Sequence, residues 1–127
     1  MTEPRLDLLA RDFTAGTLVA LRHDVERHAA GQGLDGLPLY RFVVAVNELT
    51  TNAVRHGGGR GHLTLWRTGD RLHCQVTDHG PGLPVLQSLA MPSPEAVGGR
   101  GLLLARHGTE RLTADGSTVT ASARLTA

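Results

Sequence analysis

The chain of 127 residues is 40% hydrophobic and 20% charged, an ordinary composition that predicts a single domain over residues 1–127 with a modest core. The formal net charge of +1 excludes a strong electrostatic attraction to nucleic acid or to a membrane surface. A lone cysteine, Cys74, excludes an intrachain disulfide and a zinc framework, and no segment has the apolar length of a signal peptide or a membrane helix, so we expect a cytoplasmic protein.

The first half of the sequence predicts a short strand and then two helices. Residues 5–10 can form the strand, and residues 14–30 carry apolar side chains at helical spacing. Residues 41–56 have the strongest helical pattern, and an apolar stripe runs along one side of it. The members of that stripe are Phe42, Val46, Leu49 and Ala53. Pro38 lies where this helix can begin, and the glycine run at 57–59 ends it.

The second half of the sequence predicts two antiparallel hairpins. Residues 62–68 and residues 71–78 alternate apolar and polar side chains, with a Gly-Asp pair between them. Residues 111–114 and residues 117–125 form the second hairpin, and the Asp-Gly turn that joins them is a strong local signal.

The stretch between the hairpins predicts a loop and a short helix. Residues 83–97 hold three prolines and show no clear periodicity, which indicates a loop. Residues 101–107 are predicted to form a short apolar helix. Helices followed by hairpins predict an α+β fold, a two-layer α/β sandwich with helices on one face of a mixed, mostly antiparallel sheet.

The strongest predicted helix carries three polar residues that can form part of a site. Because successive helical residues are rotated by about 100°, Glu48, Asn52 and His56 fall on one face, away from the apolar stripe. An asparagine oxygen can ligate Mg²⁺ together with phosphate and water oxygens. A carboxylate one turn away can orient or deprotonate an attacking hydroxyl or water. The same residue types are common on a solvated helix face, so that interpretation stays open.

Asp78 ends the second strand of the first hairpin. It continues the phase of Leu72, Cys74 and Val76, which points its carboxylate toward the core layer. An unpaired buried carboxylate is costly, and the exocyclic amino group of a purine would supply a donor. The Gly-Pro-Gly at 80–82 lets the backbone turn tightly beside a flat ring. An ordinary turn that begins with aspartate is the alternative.

A glycine loop at 98–101 precedes the short apolar helix. Free backbone N–H groups at a helix N-terminus favour phosphate, and glycine lets the chain approach the phosphate oxygens. Arg100 can reach a terminal phosphate. Glycine is abundant in this chain, so the loop alone is a weak signal.

Together the three motifs resemble the N, G1 and G2 boxes of the Bergerat-type, histidine-kinase-like ATP-binding fold. They read E-L-T-T-N-A-V-R-H-G at 48–57, D-H-G-P-G-L at 78–83 and G-G-R-G-L at 98–102. The resemblance covers residues 18–125. The first motif and the small size are most similar to the anti-sigma factor serine/threonine-protein kinase branch of actinomycete-type regulators.

The resemblance implies a role for each matching position. Glu48 would be the general base, Asn52 would hold Mg²⁺, Asp78 would accept from the adenine amino group, and residues 83–97 would form a lid over ATP. Thr118 would lie near adenine, with an ambiguity of one residue in the alignment. The implied nucleotide-binding set is Asn52, His56, Asp78, Gly80, Gly82, Gly99, Arg100, Gly101, Leu102 and Thr118.

The resemblance predicts an ATP-binding regulatory protein with Mg²⁺ as its metal. It would phosphorylate a serine on a small antagonist protein, sequester a sigma factor and form a homodimer, with no direct contact to nucleic acid or membrane. The implied lid has only one ionised residue, Glu95, which favours the first of two alternatives. One is a nucleotide-dependent partner-switching module without catalysis, and the other is a detached histidine-kinase catalytic domain.

Overall fold

The computed structural model describes residues 4–78, 111–115 and 117–125. Two helices and five strands make up these residues. In chain order they are β1 (Arg5–Thr14), α1 (Leu18–Gly31), α2 (Gly36–His56), β2 (Arg60–Thr68), β3 (Arg71–Asp78), β4 (Arg111–Asp115) and β5 (Thr118–Arg124). The predicted loop over residues 83–97 and the predicted helix over residues 101–107 lie outside the described residues.

The five strands form one sheet in the order β1-β2-β3-β5-β4, and each described neighbouring pair is antiparallel. Both helices pack on one face of this sheet, so the predicted α+β sandwich is confirmed. The predicted mixture of parallel and antiparallel pairing is not found among the described strands. The two predicted hairpins are present as β2–β3 and β4–β5.

Strand β1 is longer than predicted, and α1 begins later. The β-bulge between Asp7 and Leu9 interrupts the alternation that would have marked the whole strand. Beyond the bulge the strand continues to Thr14, and its residues Leu9 and Phe13 are buried under the helices. The chain turns there because the Thr14 backbone N–H donates to the Thr17 hydroxyl at 2.9 Å. A short 3-10 turn at Ala15–Thr17 then leads into α1.

Helix α2 also begins earlier than predicted, at Gly36 rather than at residue 41. Pro38 lies in its first turn, where backbone N–H groups have no acceptor within the helix. The lack of an N–H group in proline therefore costs no helical hydrogen bond there. The predicted apolar stripe is confirmed, because Phe42, Val46, Leu49 and Ala53 are all buried.

The core lies between the helices and the inner face of the sheet. Strand alternation turns Leu63, Leu65, Leu72, Cys74 and Val76 toward the helices, where each is buried. Burial in this apolar layer raises the pKa of the Cys74 thiol, which keeps it protonated and unreactive.

The outer face of the sheet is polar. It carries a hydrogen-bonded row in which the His73 ring contacts the Thr68 hydroxyl and the Ser122 hydroxyl, each at 2.7 Å. The Trp66 ring stacks on His73, and the Arg5 guanidinium lies 4.3 Å from the Trp66 ring centroid. The candidate residues of α2 lie on the opposite side of the sheet, with the helices.

Candidate functional site

Helix α2 brings Glu48, Asn52 and His56 to one face, each one turn from the next. The interpretation of this face as ordinary solvated surface is wrong for Asn52, whose side chain is only 3% exposed. Glu48 and His56 are partly buried on either side of it. A buried asparagine between a carboxylate and an imidazole is unusual for a helix that only packs on a sheet.

Two side-chain atoms of this face are buried without a hydrogen-bond partner among the residues that the structure describes. They are Asn52 Nδ2 and His56 Nε2. An unsatisfied buried polar group costs about 1–3 kcal/mol, so such groups point to a role that compensates the cost. The side chains of Asn52 and His56 therefore have hydrogen-bonding capacity available for a polar ligand.

The donor set also fits a magnesium ion bound together with a nucleotide. Within the described ranges, no group of three or more His, Cys, Asp or Glu side chains forms a metal cage. Mg²⁺ differs from structural metals because it takes one or two protein oxygens and completes its shell with phosphate and water. The oxygen of the buried Asn52 amide, with the Glu48 carboxylate one turn away, is the type of ligand that suits that mode of binding. The unsatisfied Nδ2 of the same amide is a hydrogen-bond donor and can serve a phosphate or carbonyl oxygen beside the ion.

Asp78 lies at the C-terminal end of α2, on the helix side of the sheet. A Cβ atom added to Gly57 would lie 2.3 Å from both Cβ and Cγ of Asp78, so the aspartate side chain rests directly on the Gly57 backbone. This direction agrees with the strand phase. The Asp78 backbone N–H donates to the Ser117 carbonyl at 3.1 Å, which fixes the end of β3 against the turn before β5.

Thr118 is not brought together with the other candidate residues. Its hydroxyl lies 3.1 Å from the Thr77 hydroxyl, and that pair belongs to the polar outer face of the sheet. Ser117 precedes it and is in phase with the buried Val119, as is Asp78 with Val76. The one-residue ambiguity in the alignment therefore favours Ser117 as the neighbour of the site.

The remaining predicted residues stay predictions, because they lie outside the described residues. They are Gly80, Gly82, Gly99, Arg100, Gly101 and Leu102.

The sequence pattern did not identify a pocket of about 550 Å³ between α1 and α2. Glu48 is the last residue of α2 that lines it, and Tyr40, Val43 and Val44 are among the other α2 residues in its wall. One signal for it was available in the sequence. Tyr40 and Val44 precede Glu48 by eight and four residues, which places apolar side chains on the same helical row as the polar ones.

The family model of the histidine kinase-like ATPase domain matches residues 12–123 of the chain. The match includes both helices, the polar face of α2 and Asp78. A comparison with curated proteins finds no match. Neither of the two helices described here is long and apolar enough to cross a membrane.

Proposed function

The chain belongs to the histidine kinase-like ATPase domain family, and from that premise we propose an anti-sigma factor type serine/threonine kinase. It would bind Mg-ATP in the cytoplasm and phosphorylate a serine on a small antagonist protein. It would also sequester a sigma factor and act as a homodimer. ATP binding follows from the family, whereas the acceptor and the partners belong to the proposal.

The observation that carries the proposal is the arrangement along α2. Asp78 lies against Gly57 at the C-terminal end, buried Asn52 has an unsatisfied amide, and Glu48 follows one turn further on. This order matches a nucleotide laid along the helix with its base at Asp78 and its terminal phosphate toward Glu48. A carboxylate at the phosphate end is what transfer to a hydroxyl requires.

The residues of the chain then have separate tasks. Asp78 accepts a hydrogen bond from the exocyclic amino group of adenine, and Asn52 would hold Mg²⁺ through its amide oxygen. When bound, Mg²⁺ neutralises charge on the phosphates. Glu48 accepts the proton of the serine hydroxyl while the serine oxygen bonds to the γ-phosphorus. The bond from that phosphorus to the bridging oxygen breaks, and ADP leaves with the bond's electron pair.

Radiolabelled transfer tests the kinase proposal. The parent protein, with γ-labelled ATP and Mg²⁺, is expected to label a candidate antagonist protein of the same organism. Glu48→Gln keeps the shape of the side chain but cannot accept the proton, so labelling should fall at least a hundredfold, within the usual range for loss of a general base. ATP affinity should stay within a few-fold of the parent. Absence of transfer by the parent, or equal transfer by Glu48→Gln, would contradict the kinase assignment.

A partner-switching module without catalysis is the second candidate, because residues 83–97 contain no Lys or Arg for the phosphates, and their one ionised residue is the anion Glu95. In that case Glu48→Gln would leave nucleotide-dependent partner binding unchanged, and the parent would transfer no label. A detached histidine-kinase domain would instead label a histidine, and that phosphoprotein would lose its label in acid.

A further inference from the structure

The groove between α1 and α2 continues the helical row that carries the proposed nucleotide site. Tyr40, Val44, Glu48, Asn52 and His56 are each four residues apart, so they form one slowly turning row on α2. The C-terminal half of this row is polar and the N-terminal half is apolar. Glu48 stands at the boundary and also lines the groove of about 550 Å³.

Geometry restricts what can occupy the groove next to Glu48. A hydroxyl that Glu48 deprotonates must lie within hydrogen-bond distance of its carboxylate. Asn52, about 6 Å away along the helix axis, marks the nucleotide side of Glu48. Among the described residues, the groove offers the acceptor chain an approach to Glu48 from the other side, over the apolar residues that extend about 12 Å from Glu48 to Tyr40.

The surface around the groove suits a protein segment. Four large hydrophobic residues are exposed among the described residues, and three of them lie on α1 and α2. Tyr40 is 65% exposed and Leu37, one turn earlier, is 55% exposed. Val19 lies on α1 at helical spacing from Arg22 and Glu26, which line the groove. Exposed apolar side chains on the two helices that form an open groove favour contact with a macromolecule, whereas small molecules favour enclosed pockets.

The charges of the groove do not select a strongly acidic or basic partner. Arg22 and Glu26 contribute one charge of each sign from α1. Arg22 Nη1 donates a hydrogen bond to Asn47 Oδ1 at 3.5 Å. This contact joins α1 to α2 at the residue that precedes Glu48. The apolar wall made by Tyr40 and Val44 is therefore the part that can discriminate between segments.

We infer that this groove binds the phosphate acceptor as a protein segment in which a bulky apolar side chain neighbours the serine. The apolar side chain packs against Tyr40 and Val44, and the serine hydroxyl is then held at Glu48. This inference rests on the proposed kinase function and specifies how that kinase recognises its acceptor. Tyr40 is a positioning residue here, because it acts on the acceptor segment and not on the reacting atoms.

Kinetics with Tyr40 variants test the inference. The acceptor is the antagonist protein that the parent labels in the transfer assay. Tyr40→Ser should raise the KM for that protein about tenfold, as expected for loss of one aromatic anchor, without changing the KM for ATP. Tyr40→Phe keeps the ring and should stay within about twofold of the parent. Leu6→Ser is the matched control, since Leu6 is 52% exposed on β1, outside the groove.

The sequence offers a direct probe of the same groove, because Tyr40 is its only tyrosine. Protein made with 3-fluorotyrosine gives a single fluorine resonance, which should shift when the acceptor with its serine replaced by alanine is added. An unchanged resonance at a saturating concentration of that acceptor would overturn the inference. Transfer with an unchanged KM in Tyr40→Ser would overturn it while leaving the kinase intact. Absence of transfer by the parent would contradict both the kinase proposal and the inference about the groove.

Discussion

The Asp78 side chain rests directly on the backbone of Gly57, the residue that follows the last turn of α2. This contact joins the end of β3 to the end of the helix that carries Glu48 and Asn52. It therefore fixes the position of the proposed adenine acceptor relative to the proposed magnesium ligand. The glycine is required for its lack of a side chain, because its φ of −112° is open to any residue.

Gly57→Ala should destabilise the protein and displace Asp78. The added Cβ would lie 2.3 Å from the Asp78 side chain and 2.5 Å from the Ala53 carbonyl oxygen, and overpacking of this kind costs about 1–3 kcal/mol. Urea unfolding measures the loss, and calorimetry should show weaker ATP binding. Gly31→Ala is the matched control, because a Cβ there meets nothing within 4 Å. Equal stability and equal ATP affinity in the two variants would contradict the role given to this contact.

Asn52→Leu should separate stability from binding. The substitution removes a buried amide with an unsatisfied Nδ2, so the unliganded protein should be as stable as the parent or up to about 1 kcal/mol more stable. The variant should lose the thermal stabilisation that Mg-ATP gives the parent. Thr50→Val is the control, since the buried Thr50 hydroxyl contacts the Val46 and Asn47 carbonyl oxygens, each at 3.1 Å, and its loss should destabilise. Undiminished stabilisation of Asn52→Leu by Mg-ATP would exclude Asn52 from the site.

Cys74 should be unreactive in the folded protein. Burial raises the pKa of its thiol, so the thiolate that attacks labelling reagents does not form at pH 7 to 8. In the unfolded chain, the Cys74 thiol ionises with its ordinary pKa of about 8.5. Below that pH the thiol is protonated in both states, and the folded state keeps its full stability. Above that pH the unfolded state gains a thiolate that the folded core excludes, so the free energy of unfolding falls as the pH rises. A thiol reagent should label the native protein slowly and the urea-unfolded protein fully. Rapid labelling without urea would show that the core between β3 and the helices opens readily.

Strand phase and helical periodicity predicted the parts of the site that depend on local geometry. The direction of Asp78 follows from alternation along β3, and the shared face of Glu48, Asn52 and His56 follows from the rotation of about 100° per residue in α2. The resemblance placed Thr118 near adenine, although alternation along β5 held the opposite signal. Thr118 precedes the buried Val119 directly, so its side chain points to the outer face of the sheet.

Other differences between expectation and structure have tertiary causes. The bulge between Asp7 and Leu9 obscured the length of β1, because the pattern changes phase there. Asn52 is buried because other elements pack around α2. The position of a polar residue in a helical pattern does not predict such burial. The groove beside Tyr40 needs both helices, so neither helix pattern alone predicts it.

The central claim is that ATP binds along α2 with adenine at Asp78, and calorimetry with Mg-ATP tests it most directly. The parent should bind one ATP per chain. Asp78→Asn removes a charged acceptor, which is worth about 1.5–3 kcal/mol, and should therefore weaken binding about tenfold to a hundredfold. Urea unfolding of the unliganded variant measures any change in stability separately, so the affinity is compared under conditions in which both proteins are folded. An Asp78→Asn protein that binds ATP as tightly as the parent, or a parent that binds none, would contradict the account.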